Sequence, residues 1–346
     1  MVIEAAVAWS GSMDQTADII RPDIAIVTMV GLEHYSAFRG KEAIAREKGK
    51  LVEALGSRGL AVLNADDENV MSMAARCEGR VVTFGQNADA DYRIVGVKQR
   101  YPGPLVVKLA SRHGTHTVTA ELIGKHFSMC IAAAYAAAME IGVPVETFTK
   151  AVSGFDAIQG RCEPVHLDNG TTFLMDTVKA PWESLTLPME TVRDAKAVRK
   201  RIVIDQMSDY PGSSNSKYRA AYKAARDAAD EVIFVGDNAH RHGASEEDRA
   251  SGHIVEALDA RAVHEHLRRT LTDGELVLLK SSQNLHLERA ALAFNSDVKC
   301  WVDRCGKSGT CVQCGMLAYP YEEHAAIRKS RRQKRWKSRI IGSDTA

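Results

Sequence analysis

The sequence predicts an α/β protein with two successive sheet-and-helix units and a cysteine-rich tail. Short apolar runs rich in β-branched residues alternate with helical spacing in two separate stretches. Three extended runs follow one another in the first stretch with no helix between them. A chain of 346 residues, at about 150 residues per domain, also implies two domains and a smaller third piece.

The first unit is expected to cover residues 1–158, with parallel strands joined by crossover helices. Strands are predicted at residues 23–30, 60–64 and 81–85, and helices at 41–55, 68–77 and 126–141, with Gly142 ending the last helix. Extended runs at 92–100, 104–111 and 115–122 are predicted to form a small antiparallel sheet lying over the parallel layer.

The alternation restarts after Gly160 and predicts a second, doubly wound unit over residues 159–297. The glycine- and proline-containing stretch AVSGFDAIQGRCEP marks the boundary between the units. Residues 298–346 follow as a cysteine-rich segment and a basic tail. Strands of the second unit are predicted near residues 171–175, 201–205, 231–235, 275–280 and 298–302, with helices between them.

Composition restricts the classes of function. Hydrophobic residues at 45% and charged residues at 26% are typical of a globular protein with a sizeable core. No run is long and apolar enough for a membrane helix, and the start lacks the order of a signal peptide, so we expect a cytoplasmic protein without membrane partners. The net charge of +1 includes eight Lys and Arg residues between Arg328 and Arg339, which leaves −7 for the rest. This basic tail is expected to be disordered, with nonspecific contact to nucleic acid or contact to an acidic partner as the alternative.

The run PDIAIVTMVGLEHYSAFRGKEAIAREKGKL resembles the central-domain signature of the Mur ligase family. Glu4 stands where the family has a metal-binding glutamate, His34 at its strand-end histidine, and Lys48 at the lysine that the family carries as a carbamate. The resemblance implies an ATP-dependent amide ligase that phosphorylates a carboxylate and lets an amine attack the acyl phosphate. It makes Lys48 and His34 catalytic candidates and Glu4, His34 and Lys48 ligands of Mg²⁺, which prefers oxygen donors such as a carbamate. Singly, each residue also fits an ordinary polar surface position.

Later motifs extend the resemblance to about residue 295 and imply a partial P-loop-type ATPase domain followed by a Rossmann-like C-terminal domain. LNADDENV contains Asn64, the pair Gly160 and Arg161 resembles the domain junction, and MDTVKAPWES contains Asp176 and Lys179. The resemblance assigns Arg161, Asp176, Lys179 and Asn64 to ATP, since guanidinium and ammonium groups hold phosphate oxygens. A structural Arg161–Asp176 pair that ties two domains together is the alternative.

The motifs LLKSS and LHLE resemble the late strand and helix that meet the incoming amino substrate in this family. The resemblance assigns Lys280, Ser282 and Glu288 to substrate binding, and a solvated strand end is the alternative. The implied partners are a small-molecule carboxylate and an amino acid or peptide.

The family's phosphate loop, G-x-x-G-K-[ST], is missing from the start of this sequence. We therefore expect a fragment, a misplaced start or a degenerate member, incomplete as an enzyme by itself. The run CGKSG is not that loop, because Trp301 stands where the loop needs its first glycine. The rival hypothesis is a non-catalytic, zinc-stapled binding or scaffold protein that keeps a Mur-like shell. A narrower alternative is a ligase for a secondary metabolite or an amino-acid polymer.

Four of the seven cysteines cluster in one short segment. Cys300, Cys305, Cys311 and Cys314 are spaced C-x4-C-x5-C-x2-C. Four thiolates suit a tetrahedral zinc site, and a site filled by protein ligands is structural and not catalytic. Two disulfides or a redox pair of Cys311 and Cys314 are the alternatives.

Overall fold

The computed structural model describes residues 1–32, 35–307 and 309–341, which form two six-stranded sheets. The first sheet contains β1 (Ile24–Val27), β2 (Leu60–Asn64), β3 (Arg80–Gly85), β4 (Tyr92–Lys98), β5 (Leu105–Ser111) and β6 (Gly114–Ala120). The second contains β7 (Glu163–His166), β8 (Thr172–Asp176), β9 (Lys200–Ile204), β10 (Glu231–Val235), β11 (Ile254–Ala257) and β12 (Leu276–Lys280).

Helices connect and cover these strands. They are α1 (Ser12–Ile20), α2 (Tyr35–Phe38), α3 (Lys41–Glu53), α4 (Glu68–Met71), α5 (Phe127–Glu140), α6 (Val145–Ser153), α7 (Leu187–Asp194), α8 (Ser214–Arg226), α9 (Glu246–Ala250), α10 (Ala260–Thr270), α11 (Arg289–Leu292), α12 (Cys311–Cys314) and α13 (His324–Ile341). In the described part of the chain, no helix combines the length and the apolar character that crossing a membrane requires.

The first sheet has its strands in chain order, β1 to β6. Strands β1 to β4 run parallel, and β5 and β6 continue as antiparallel neighbours. The three extended runs are thus strands, but the prediction that they lie over the parallel layer is wrong. Strand β4 pairs with the end of β3 through Phe84 and Tyr92. The backbone groups at this end of β3 thereby find partners within the same sheet. Helix α5 packs on this sheet with Tyr135 fully buried.

The second sheet has the order β11-β10-β9-β12-β8-β7 and is parallel except for the edge strand β7. The α/β class and the doubly wound unit are confirmed. The last strand along the chain, β12, lies between β9 and β8, so residues distant in sequence meet at its ends. All strands of the first sheet precede Gly160 in the sequence, and all strands of the second sheet follow it. The domain limits at residues 158 and 297 stay a prediction.

The predicted strand at residues 298–302 is wrong. The backbone N–H groups of Lys299 and Cys300 both donate to the carbonyl oxygen of Leu317, at 2.8 and 3.1 Å. These two backbone N–H groups therefore bond to the cysteine-rich region and not to a neighbouring strand of the sheet. Sequence reasoning also missed the short strands β7 and β11.

The basic tail is helical and not disordered over the described residues. Helix α13 begins at His324, whose side chain is 6% exposed, and the Arg328 guanidinium lies against the cysteine-rich region. Ala, Arg and Lys are strong helix formers, and the buried His324 anchors the start of the helix.

Candidate functional site

The loop that follows β1 is held by three side chains from neighbouring elements. Asn64, at the end of β2, donates its side-chain N–H to the Thr28 carbonyl at 2.7 Å. The Lys48 ammonium donates to the Met29 carbonyl at 2.9 Å, and Asp67 accepts the N–H of residue 30 at 2.7 Å. Three successive backbone positions are therefore fixed at the carboxyl edge of the first sheet.

The structure places Lys48, but not the whole predicted magnesium site. Lys48 lies half-buried on α3, with its ammonium against the loop after β1. Glu4 lies in an irregular, exposed segment at the start of the chain. His34 lies outside the described residues. The convergence of Glu4, His34 and Lys48 therefore stays a prediction.

The residue before Lys48, Glu47, is a structural residue that the sequence reasoning missed. Its buried carboxylate accepts the N–H of Met13 at 2.8 Å and pairs with Lys50 at 2.9 Å. Burial raises the pKa of Glu47, but the hydrogen bonds from Met13 and Lys50 outweigh that effect and hold it below its usual value. Glu47 thereby ties the first turn of α1 to α3.

The loop after β1 also contacts the second half of the chain through Glu183. This carboxylate accepts the N–H of Leu32 at 2.6 Å and pairs with Lys41, at the start of α3, at 2.7 Å. Glu183 belongs to the turn Trp182–Ser184, which follows β8. The connections after the carboxyl ends of β1 and β8 therefore meet, and parallel sheets bind ligands beyond such ends.

At the carboxyl edge of the second sheet, Asp176 and Lys280 pair with each other. They are register partners on β8 and β12, and the Lys280 ammonium donates to the Asp176 carboxylate at 2.7 Å. It also donates to the Lys179 carbonyl at 2.7 Å, and it is only 3% exposed. The exposed Lys179 side chain stands on the turn that this bond fixes. The structure thus joins a predicted nucleotide residue to a predicted substrate residue.

Arg161 lies on the same side of the second sheet, beside Cys162 at the junction of the two units. Burial raises the pKa of the Cys162 thiol, Asp176 adds to that rise, and the Lys280 and Arg161 cations oppose it. The charges of Asp176, Lys280 and Arg161 thus act on one buried thiol. Arg161 itself is half-buried, and sequence reasoning had not singled out Cys162 as part of this cluster.

His126, just before α5, faces the same cluster and was also missed. Burial lowers its pKa; Asp176 opposes this shift and Lys280 adds to it. Its Nδ1 atom is buried without a hydrogen-bond partner among the residues that the structure describes. Gly124 has φ +133°, and a Cβ there would come within 2.2 Å of the His126 ring. Only a residue without a side chain at position 124 therefore leaves room for the His126 ring.

Asp205 follows β9 at the same edge and is 6% exposed. The Ser281 hydroxyl donates to its carboxylate at 3.4 Å, and the N–H of Gln206 donates at 2.6 Å. Burial, assisted by the charge of Asp303 and opposed by the hydrogen bonds from Gln206 and Ser281, raises the pKa of Asp205 to about 7. A protonatable acid thus lies beside the Asp176–Lys280 pair. Ser282, the third predicted substrate residue, is half-buried at the start of the next turn.

The four cysteines border a common cavity, and next to it the ligand atoms of His286, Glu288 and Cys311 lie within 4.8 Å of one another. The cavity that the four cysteines line has a volume of about 20 Å³. Glu288, predicted to meet the amino substrate, is placed beside them and accepts the N–H of Cys311 at 3.0 Å. Burial raises the pKa of Glu288, but hydrogen bonds from His286 and Cys311 bring it below its usual value.

The comparisons with known proteins agree with this architecture. A family model described as the Mur ligase middle domain matches residues 1–138. A UDP-N-acetylmuramoyl-tripeptide–D-alanyl-D-alanine ligase of Escherichia coli is 24% identical over 304 residues, covering 86% of this chain and 66% of that protein. The corresponding ligase of Bacillus subtilis is 25% identical over 305 residues, covering 83% and 62%. Residues 1–138 thus match the middle domain of the Mur ligases, and the chain is similar to Mur ligases over most of its length.

Solved Mur ligase structures share the fold of this chain. MurF from Acinetobacter baumannii superposes with a TM-score of 0.71 at 18% identity, over 83% of this chain and 62% of that one. MurF from Thermotoga maritima in complex with ADP gives 0.69 at 20% identity, over 82% and 64%. At such identities the likeness establishes the fold alone. The chain spans about two thirds or less of the length of these relatives.

Proposed function

We propose that the protein is an ATP-dependent amide ligase. The observation that carries this proposal is the contact of Glu183 with Leu32 and Lys41, which joins the connections after β1 and β8. A condensation of two substrates needs both reacting groups in one place, and the carboxyl edges of two α/β sheets border this region. A nucleotide bound between the two edges would then lie next to an amine acceptor at the edge of the second sheet.

The proposed reaction has two steps. The terminal phosphoryl group of ATP passes to a substrate carboxylate and gives an acyl phosphate with release of ADP. An amine then attacks the acyl carbon, and inorganic phosphate and a proton leave as the amide forms. We assign Arg161, Lys179 and Asn64 to the nucleotide side. The buried Lys280–Asp176 pair holds the turn that presents Lys179, and Ser282 and Glu288 follow it on the acceptor side.

Mg²⁺ belongs to the same proposal. Glu4, His34 and a carbamate on Lys48 would hold it, and it would neutralise charge that develops on the phosphoryl oxygens. The placement of Lys48 fits, because its nitrogen lies at the carboxyl edge, 2.9 Å from the Met29 carbonyl. Carboxylate and carbamate oxygens are the donors that Mg²⁺ prefers.

The names of the relatives suggest the substrate class. The Escherichia coli and Bacillus subtilis proteins are ligases of a UDP-N-acetylmuramoyl tripeptide and D-alanyl-D-alanine. A Nitrobacter hamburgensis relative, 32% identical over 190 residues, which cover 53% of this chain and 40% of that protein, is a UDP-N-acetylmuramate–L-alanine ligase. We therefore propose a nucleotide-sugar-linked carboxylate and an amino acid or dipeptide as substrates, used in the cytoplasm.

The proposal also includes a structural Zn²⁺ on Cys300, Cys305, Cys311 and Cys314. Their shared cavity of about 20 Å³ supports it, since four thiolates complete a tetrahedral zinc site. Metal analysis of protein purified under reducing conditions should give one zinc per chain, and a content far below that would overturn the assignment.

The ligase proposal is tested by measuring ADP and phosphate release from ATP by the full-length protein, with UDP-linked carboxylates and a panel of amino acids and dipeptides. Release that depends on both the carboxylate and the amine is expected. Lys48→Ala should abolish it, while Lys223→Ala, on an exposed face of α8, should leave it unchanged. Carbon-13 NMR with labelled bicarbonate should show a carbamate signal that Lys48→Ala removes. Failure to bind ATP, or turnover that survives Lys48→Ala, would refute the assignment.

A further inference from the structure

The cavity between the cysteines also receives a side chain from the ligase fold itself. His286 follows β12 and lines the cavity together with the four cysteines. Its Nε2 atom lies 3.0 Å from the Cys305 sulfur. Two ligands of one zinc ion, with Zn–S and Zn–N distances near 2.3 and 2.0 Å, would lie roughly 3.5 Å apart. His286 is thus within reach of the metal or of its thiolates.

Two glycines in the cysteine region adopt the left-handed conformation. Gly306 follows Cys305 with φ +67°, and Gly315 follows Cys314 with φ +64°. Gly315 ends α12, and its N–H donates to the carbonyl groups of Cys311 and Val312 at 3.3 and 3.1 Å. The turn that carries Cys311 and Cys314 is therefore closed by its own backbone hydrogen bonds.

The cavity also carries cations that four thiolates and one divalent metal would need. Such a cluster has a net charge of −2 by formal charges. The Arg328 guanidinium donates to the Cys314 sulfur at 3.3 Å, and Lys307 lines the cavity. Arg289 is 1% exposed; its Nη1 donates to the Cys300 carbonyl at 2.9 Å, and its Nε atom has no hydrogen-bond partner among the described residues. A buried guanidinium of this kind is costly unless an anionic group lies nearby.

Two hydrogen-bonding residues connect this site to the loop after β12. Glu288 Oε1 lies 3.4 Å from His286 Nδ1 and accepts the N–H of Cys311 at 3.0 Å. Nδ1 therefore faces a carboxylate while Nε2 faces a sulfur. In metal sites, a carboxylate on one ring nitrogen commonly fixes the orientation of a histidine whose other nitrogen meets the metal or its ligands.

We propose that His286 and Glu288 are the outer shell of the four-cysteine zinc site, and that the metal thereby fixes the 281–289 loop of the ligase fold. The inference rests on the zinc site proposed above. The ligand atoms of His286, Glu288 and Cys311 lie within 4.8 Å of one another. With the four thiols taken as the zinc ligands, His286 would support Cys305 through a hydrogen bond, and Glu288 would support His286 and Cys311. The zinc site is then part of the acceptor side of the ligase and not a separate module.

The position of the loop gives this anchoring a consequence for the candidate active site. It begins directly after Lys280, the partner of Asp176, and it includes Ser281, which bonds to Asp205. The charges of Asp303 and Arg304, between the first two cysteines, act on Asp205 as well. Loss of the metal should therefore loosen the carboxyl edge of the second sheet.

Zinc release and hydrogen exchange of the full chain test the inference. His286→Asn and Glu288→Gln should keep zinc but lose it to a chelator about 10- to 100-fold faster than the unmodified protein. His240→Asn, an exposed histidine outside the site, and Cys77→Ser, a thiol outside the cluster, should release zinc at the unmodified rate. Removing zinc from the unmodified protein should speed amide exchange in residues 281–289 and leave Glu231–Val235 of β10 protected.

The outcomes separate the two proposals. Protein that never contains zinc refutes the zinc site itself. Protein that contains zinc, but whose His286→Asn variant releases it at the unmodified rate, or whose 281–289 amides exchange equally with and without metal, refutes the anchoring alone. A cobalt-substituted His286→Asn variant with altered ligand-field bands would make His286 a ligand and overturn its outer-shell role.

Discussion

The two sheets differ in how their carboxyl edges are built. In the first, strands follow chain order, and the loop after β1 is held by side chains such as Asn64 and Lys48 that bond to its backbone. In the second, β12 inserts between β9 and β8, and Asp176, Lys280 and Asp205 meet as buried charged groups. The first edge depends on hydrogen bonds to a loop, whereas the second depends on charges that must compensate each other. Substitutions should therefore have larger effects at the second edge.

The largest effect is expected from Lys280→Met. It leaves the Asp176 carboxylate buried without its cation, and removing one partner of a buried ion pair typically costs about 3–5 kcal/mol. Urea unfolding of the full chain measures this loss. The double variant Lys280→Met with Asp176→Asn should recover part of it, because no unpaired charge remains. A single variant that loses less than about 1 kcal/mol would show that the edge does not depend on this pair.

A pH-dependent effect is expected from Asp205→Asn. The pKa of Asp205 is raised from 3.8 to about 7 in the folded protein. The unfolded chain therefore ionises this group first, and the free energy of unfolding is highest at low pH and decreases as the pH rises towards 7. Between about pH 5.5 and about pH 8 the unmodified protein should lose roughly 2 kcal/mol from this group, at about 1.4 kcal/mol per pKa unit. The variant should lack this part of the slope in urea unfolding. Equal slopes would contradict the raised pKa.

A smaller effect is expected from Asn64→Ala at the first edge. The substitution removes the bonds to the Thr28 carbonyl and to the N–H of Asp66, and buried hydrogen bonds of this kind are worth about 1–2 kcal/mol together. Amide exchange in residues 28–32 should become faster, since one of the groups that hold this loop is gone. A fully protected loop in the variant would assign its order to the other contacts.

The smallest effect is expected from Glu183→Gln. The Lys41–Glu183 pair is partly exposed, and such pairs contribute about 0.2–1 kcal/mol. The difference between variant and unmodified protein should shrink further at about 1 M salt, where the Debye length falls to about 3 Å. A loss as large as that of Lys280→Met would erase the contrast between the two edges.

Sequence reasoning located most strands because each short β-branched run is a local signal. It placed residues 298–302 in the sheet because that run looks like a strand, whereas the partners of Lys299 and Cys300 lie at Leu317. It also found the four cysteines by their spacing. It did not find His286, because a single histidine in the LHLE motif carries no signal until the fold brings it to Cys305.

The assignment of Asp176, Lys280 and Glu288 shows the same limit. Sequence motifs placed all three near the ends of strands or helices, where the structure has them. The motifs gave Asp176 and Lys280 separate ligands, but these residues, 104 positions apart, bond to each other. Glu288 bonds to the cysteine-rich region, 23 positions further along the chain.

The sequence by itself determined the α/β class, the family resemblance, the positions of most strands, and the grouping of the four cysteines, because these depend on periodicity and short spacings. Only the tertiary structure decided the partners of the charged groups. Strand β12 returns to the middle of its sheet, so Lys280 meets Asp176 and the following loop brings His286 and Glu288 to the cysteines. A buried charge must find a partner in space, and chain order does not specify which partner the fold supplies.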